Sequence, residues 1–89
     1  MDLDDIIDLL NEHHQRASYG AVAGVLGVIP KRLMVGRPRS HEDSWVVSRY
    51  GRPTGYADDQ IHSECLRQIR ECLNDFIENE DDLRQWLNG

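Results

Sequence analysis

"SYGAVAGVLGVIPKR", residues 18–32, decides how the chain is read. It has the serine, the alanines and the apolar rhythm of a helix, yet it carries Gly20, Gly24 and Gly27. Each glycine inside a helix costs about 1 kcal/mol relative to alanine. Ser18 stands where an N-cap is needed, so a helix is predicted over Tyr19 to Leu26, with Gly27 as its left-handed stop. Pro30 suits the first turn of a following short helix through Val35, which Gly36 and Pro38 end. Two short helices joined by a tight glycine-containing turn make a helix-turn-helix over residues 18–36. Gly20 and Gly24, one helical turn apart, would leave a bare stripe on which another helix can lie close.

Upstream, Leu3, Ile6, Ile7, Leu10, His14 and Ala17 recur at helical spacing and predict an amphipathic helix over residues 3–16. Its carboxylates crowd the first turns, where the helix dipole favours negative charge. Downstream, "SWVVS", "RYGRP" and "TGY" predict a small hairpin within residues 43–56, its strands at Asp43 to Arg49 and Pro53 to Tyr56. Pro53 would keep the returning strand at an edge. Ile61, Cys65, Ile69, Cys72 and Phe76 predict a long helix to residue 78, and Leu83, Trp86 and Leu87 a final short one, so the C-terminal helices occupy residues 60–88. The expected architecture is mostly α with a small β-hairpin: a single winged helix-turn-helix-like domain, residues 1–89, flanked by acidic helices.

Length and composition agree with one domain. The chain has 89 residues, 39% of them hydrophobic and 29% charged, too apolar for a disordered chain and short enough for one modest core. No apolar run approaches the roughly 20 residues that span a bilayer, and the acidic start "MDLDDIIDLL" is unlike a signal peptide. A cytoplasmic location and no membrane contact are expected. Cys65 and Cys72 lie seven residues apart on the predicted helix, too far along its axis for a disulfide. Buried free thiols in a reducing compartment are expected.

The net charge of −6 conceals a segregation. Residues 1–13 hold five carboxylates and no lysine or arginine. Residues 14–56 hold seven cations against two carboxylates, and residues 57–89 hold nine carboxylates against three arginines. A central basic block in an acidic chain is what a phosphate-binding surface needs. Lys31 and Arg32 open the second helix of the helix-turn-helix, where a groove is met. Arg37 and Arg39 follow it, and Arg49 and Arg52 sit on the hairpin turn. These six are the candidate DNA contacts.

Enzyme signatures are lacking. There is no Walker-type loop and no H-E-x-x-H. His62 and Cys65 at i, i+3 have no second matched pair nearby, so no metal and no cofactor are expected. Ser44 or Ser48 with His41 lacks an acid partner and an oxyanion signature.

"SYGAVAGVLG", "LMVGRP" and "SWVVSRYGRPTGY", in that order, resemble the DNA-binding domain of the alkylguanine-DNA alkyltransferases and the alkyltransferase-like proteins. The likeness spans residues 17–56, about half of the chain. It implies that Tyr19 contacts a phosphate beside a base rotated out of the stack. The arginine that fills the vacated stack in that family corresponds to Leu33, with Arg32 as its neighbour. The family's cysteine nucleophile falls at Asp43 or Ser44, so the resemblance implies a chain without alkyl-transfer activity. Trp45 and Tyr56 are the residues it implies for a lesion or base pocket, although Trp45 also reads as a core residue. The expected function is non-enzymatic binding of duplex DNA, with damaged or distorted DNA as the implied target. The alternative is a protein-interaction or inhibitor module that docks a partner through the acidic terminal helices.

Overall fold

Local capping chemistry sets where the helices begin. The Asp2 carboxylate accepts the Asp5 backbone N–H at 2.9 Å, and Asp5 returns the bond to the Asp2 N–H at 3.0 Å. This reciprocal box starts α1, Leu3–His13, whose Ile6, Ile7 and Leu10 are buried. The helix stops short of the predicted residue 16 because His14 turns left-handed at φ 51°. α2, Tyr19–Leu26, has the predicted bounds: Ser18 Oγ accepts the Ala21 N–H at 3.0 Å, and Gly27 closes the helix at φ 71°. The computed structural model describes residues 1–73 and 75–89.

The glycines of α2 do not share one task. A β-carbon at Gly24 would lie 3.0 Å from the Glu80 β-carbon at the start of α4, Glu80–Asn88. Gly20 is exposed and has nothing closer than 3.9 Å. The close approach therefore rests on Gly24 alone. α4 itself starts a turn earlier than its apolar spacing predicts, because Asn79 accepts the Asp82 N–H at 2.9 Å and caps it.

Three predicted elements take another form. The second helix of the helix-turn-helix is a 3-10 turn, Pro30–Arg32, followed by looser turns to Gly36. Only Leu33 of this segment is buried, and one anchor cannot sustain an amphipathic helix. The hairpin over residues 43–56 does not form. Asp43–Trp45 is a 3-10 turn, and strand β2, Val46–Val47, pairs in parallel with β1, Ala17–Ser18. The chain instead closes a tight turn, Ser48 N–H to Arg52 O and Gly51 N–H to Ser48 O, both 2.9 Å. Pro53, with no N–H to extend a ladder, is buried rather than at an edge. The long helix to residue 78 ends much earlier. α3 is Ser63–Arg70, and Cys72 breaks the path at φ 55°. Cys72 is consequently exposed and Cys65 buried, so the expectation of two buried thiols holds for one.

The core gathers Ile6 and Leu10 of α1, Val22 of α2, Trp45, Cys65 and Leu83 around the two short strands. The Cα radius of gyration, 11.7 Å, is what a chain of this length gives as one compact body, about 12 Å. The result is a compact, mostly helical domain with four α-helices and one two-stranded parallel element among the described residues. No helix among them is long and apolar enough to cross a membrane.

Candidate nucleic-acid interface

Two adjoining clefts open beside the N-terminus of α2. One, of about 300 Å³, is walled by Tyr19, Met34, Arg37, Arg39, Asp43 and Tyr56, with Pro38 and Thr54. The other, of about 370 Å³, is lined by Tyr19, Pro30, Lys31, Met34, Val35 and Thr54. Tyr19, Met34 and Thr54 belong to both. The Tyr19 hydroxyl accepts the Thr54 backbone N–H at 3.0 Å, which leaves its own proton to donate to an oxygen ligand.

The central cations divide into two groups. Arg37 gives Nε and Nη2 to the two oxygens of Asp43, both at 2.9 Å, and Nη2 also meets Asp4 Oδ1 at 2.9 Å. The Asp43 hydrogen bonds, with help from Asp4, raise the Arg37 pKa and hold its charge firmly. Arg52 meets Asp58 at 2.6 Å, and this bond pulls the Asp58 carboxyl below its ordinary range. Arg16, counted by sequence with the basic block, is 2% exposed. It donates Nη1 to Gly51 O at 2.8 Å, Nε to Gln68 Oε1 at 3.0 Å and Nη2 to Leu73 O, and it lies 5.3 Å from the Phe76 ring. Burial lowers its pKa, and the carbonyl dipoles around it satisfy its donors.

Lys31, Arg32, Arg39 and Arg49 form the second group. All four are exposed, and none has an ion-pair partner among the described residues. Every other lysine or arginine of the chain has a carboxylate within 4.0 Å. Lys31 and Arg39 wall the two clefts, with the Arg39 guanidinium 5.9 Å from the Tyr56 ring centre. Arg49 folds over Tyr50, 5.0 Å from its ring centre.

The base-pocket pair is split. Tyr56 lines the first cleft, half-buried, and burial raises its pKa. Trp45 is fully buried on the other side of its turn: Nε1 donates to Asn11 Oδ1 at 2.9 Å, and the ring stacks on His14 with centroids 5.5 Å apart. It lines no cleft at this site. Asp43, where the resemblance puts the missing nucleophile, does line it, committed to Arg37. Ser44 is buried, its Oγ accepting the His62 N–H at 3.0 Å. Leu33, at the position of the stack-filling arginine, is buried as well. Met34 and Thr54 were missed by sequence reasoning, and only their place between the charged residues and Tyr19 could have suggested them.

Among the described residues no three His, Cys, Asp or Glu side chains converge as a metal site. No protein-family model matches the chain, and no curated protein and no solved structure does either.

Proposed function

We propose that the chain is a non-enzymatic DNA-binding protein that meets the phosphate backbone with the face around Tyr19. The observation that carries this reading is the pairing pattern. In a chain of net charge −6, carboxylates are plentiful, and the four cations left without one among the described residues all belong to the central block. Two of them flank a tyrosine whose hydroxyl proton is free to reach a phosphate oxygen. On this reading the N-terminal end of α2 and the Pro30–Arg32 turn meet the duplex, without the second helix and the hairpin that a winged helix-turn-helix would supply. A cleft walled by Tyr56 and Arg39 suits a base displaced from a damaged or distorted duplex. The Cys65 thiol is pushed up to about 11 by burial, so it supplies no thiolate for alkyl transfer. A reducing, cytoplasmic setting suits that thiol.

The test is a titration of labelled short duplex, with and without an alkylated guanine, over a range of salt concentrations. Each neutralised phosphate contributes about 0.9 to the slope of log affinity against log salt, so four free cations set a slope no steeper than about −3.6. Lys31→Ala and Arg32→Ala should each flatten it by about one unit. Duplex carrying radiolabelled methylguanine should leave the protein unlabelled. Absence of salt-sensitive binding even at low salt would sink the proposal.

A further inference from the structure

A third depression, of about 420 Å³, lies between the C-terminal end of α1 and α4, lined by Leu9, His13, Trp86, Leu87 and Gly89. The His13 ring meets the Trp86 ring edge-on, centroids 5.5 Å apart. Leu9, Trp86 and Leu87 are each only partly buried. A partly exposed tryptophan beside two leucines is the kind of anchor on which protein interfaces concentrate their energy.

Charge says what could cover it. Asp5 and Glu12 stand four residues before and three after Leu9, and Asp82 stands four before Trp86, so all three flank the groove on its own helix faces. None of them has a cationic partner among the described residues. α1 carries no lysine or arginine at all, and the single arginine of α4, Arg84, is held by Glu80 at 2.6 Å. We infer that this groove docks a cationic amphipathic helix of a partner protein, whose apolar residues meet Trp86 and whose lysines or arginines meet the flanking carboxylates. A second copy of this chain is a poor occupant. Of its own four free cations, Lys31 and Arg32 sit on a 3-10 turn and Arg39 and Arg49 lie outside any helix, so none comes with a helical apolar stripe to present.

The test uses two 16-residue helical peptides of the same amphipathic pattern, one of leucine and lysine, one of leucine and glutamate. Binding is followed by the two tryptophan indole N–H signals in NMR. Trp45, hydrogen-bonded in the core, serves as the internal reference. The Leu/Lys peptide should shift the Trp86 signal saturably with micromolar affinity and leave Trp45 in place, while the Leu/Glu peptide shifts neither. Leu9→Gln, on a partly exposed position, should weaken binding at least tenfold by this signal, and Trp86→Ala, which lacks the reporter, should do so by titration calorimetry, with a melting curve establishing that each variant is folded. Glu12→Gln should weaken it several-fold. Equal response to both peptides, shifts that spare Trp86, no binding, or unchanged affinity in folded Leu9→Gln would overturn the proposal. So would a concentration-dependent doubling of mass that moves Trp86 without peptide, because the occupant would then be a second copy.

Discussion

Arg16 and Arg32 come from the same basic block and meet opposite fates. Arg16 is enclosed, its guanidinium fixed by two backbone carbonyls and a glutamine while Phe76 packs beside it. Arg32 stands in water on a 3-10 turn with no partner among the described residues. A count of charges along the chain treats them alike. The contrast teaches that a basic block is a mixture, and that only the members without carboxylate or carbonyl partners remain to bind an outside anion. Arg37 and Arg52 fall between the two: near the surface, yet spent on Asp43 and Asp58.

The most forceful way to break the comparison is Arg16→Ala. Removal strands the buried Gly51 carbonyl, at about 1–3 kcal/mol, and takes a donor from the part-buried Leu73 carbonyl and Gln68 side chain, which cost less, while opening a void beside Phe76. The expected loss is about 3 kcal/mol or more, read from urea unfolding; a loss below 1 kcal/mol would mean that Arg16 is as dispensable as Arg32. Arg37→Ala comes next. It leaves the Asp43 carboxylate buried without its cation, and about 2 kcal/mol should be lost, less than for a fully enclosed pair because Arg37 is partly exposed. Its salt slope for duplex DNA should stay that of the parent chain, and a flattened slope would return Arg37 to the phosphate-binding group.

A smaller effect sharpens the comparison by pH. His62 Nδ1 accepts the Glu64 N–H at 3.1 Å and so caps α3, while burial, then His14 and His41, lower its pKa below 6.5. Below about pH 6.5 the unfolded chain therefore takes up a proton before the folded one does, and stability falls until the folded pKa is passed. His62→Asn keeps a capping side chain and should remove this part of the loss between pH 7.5 and 5.5. An unchanged pH profile in that variant would show that other groups carry it. The smallest effect belongs to Lys31→Ala and Arg32→Ala, which should leave stability within about 0.5 kcal/mol while weakening DNA binding. A clear loss of stability in either would erase the distinction between the two groups.

What could be read ahead of the structure was local. Ser18 and Gly27 bound α2 because a cap needs only its own neighbours, and both ends fall where the sequence puts them. The apolar spacing of Cys65, Ile69, Cys72 and Phe76 continues through a break, since Phe76 is apolar for Arg16 rather than for a helix face. Val46 and Val47 form a strand as their side chains suggest, but the choice of partner is a long-range decision that the hairpin rule assigned to the wrong segment. At the site, Tyr19, Lys31 and Arg39 were legible from charge and resemblance. The neutralisation of Arg37 was not, because its chief partner Asp43 reaches it from a 3-10 turn where a hairpin strand is predicted, and Asp4 reaches it only once α1 is packed. Trp45 had two readings, and its indole bond to Asn11 gives it to the core.

Ala17 pairs with Val46 and also bridges to Ile77, and Ser18 donates its N–H to Ile77 O at 2.8 Å while Ile77 returns an N–H to Arg16 O at 3.0 Å. Three distant stretches of chain are thus knotted at one short strand. During synthesis this strand waits, because its last partner, Ile77, is made 60 residues after Ala17. A ribosome-bound nascent chain that stops before residue 77 should remain open to protease, and protection should arrive in one step once that segment has cleared the exit tunnel. Closing so wide a loop should make folding slower than the helix content alone would suggest.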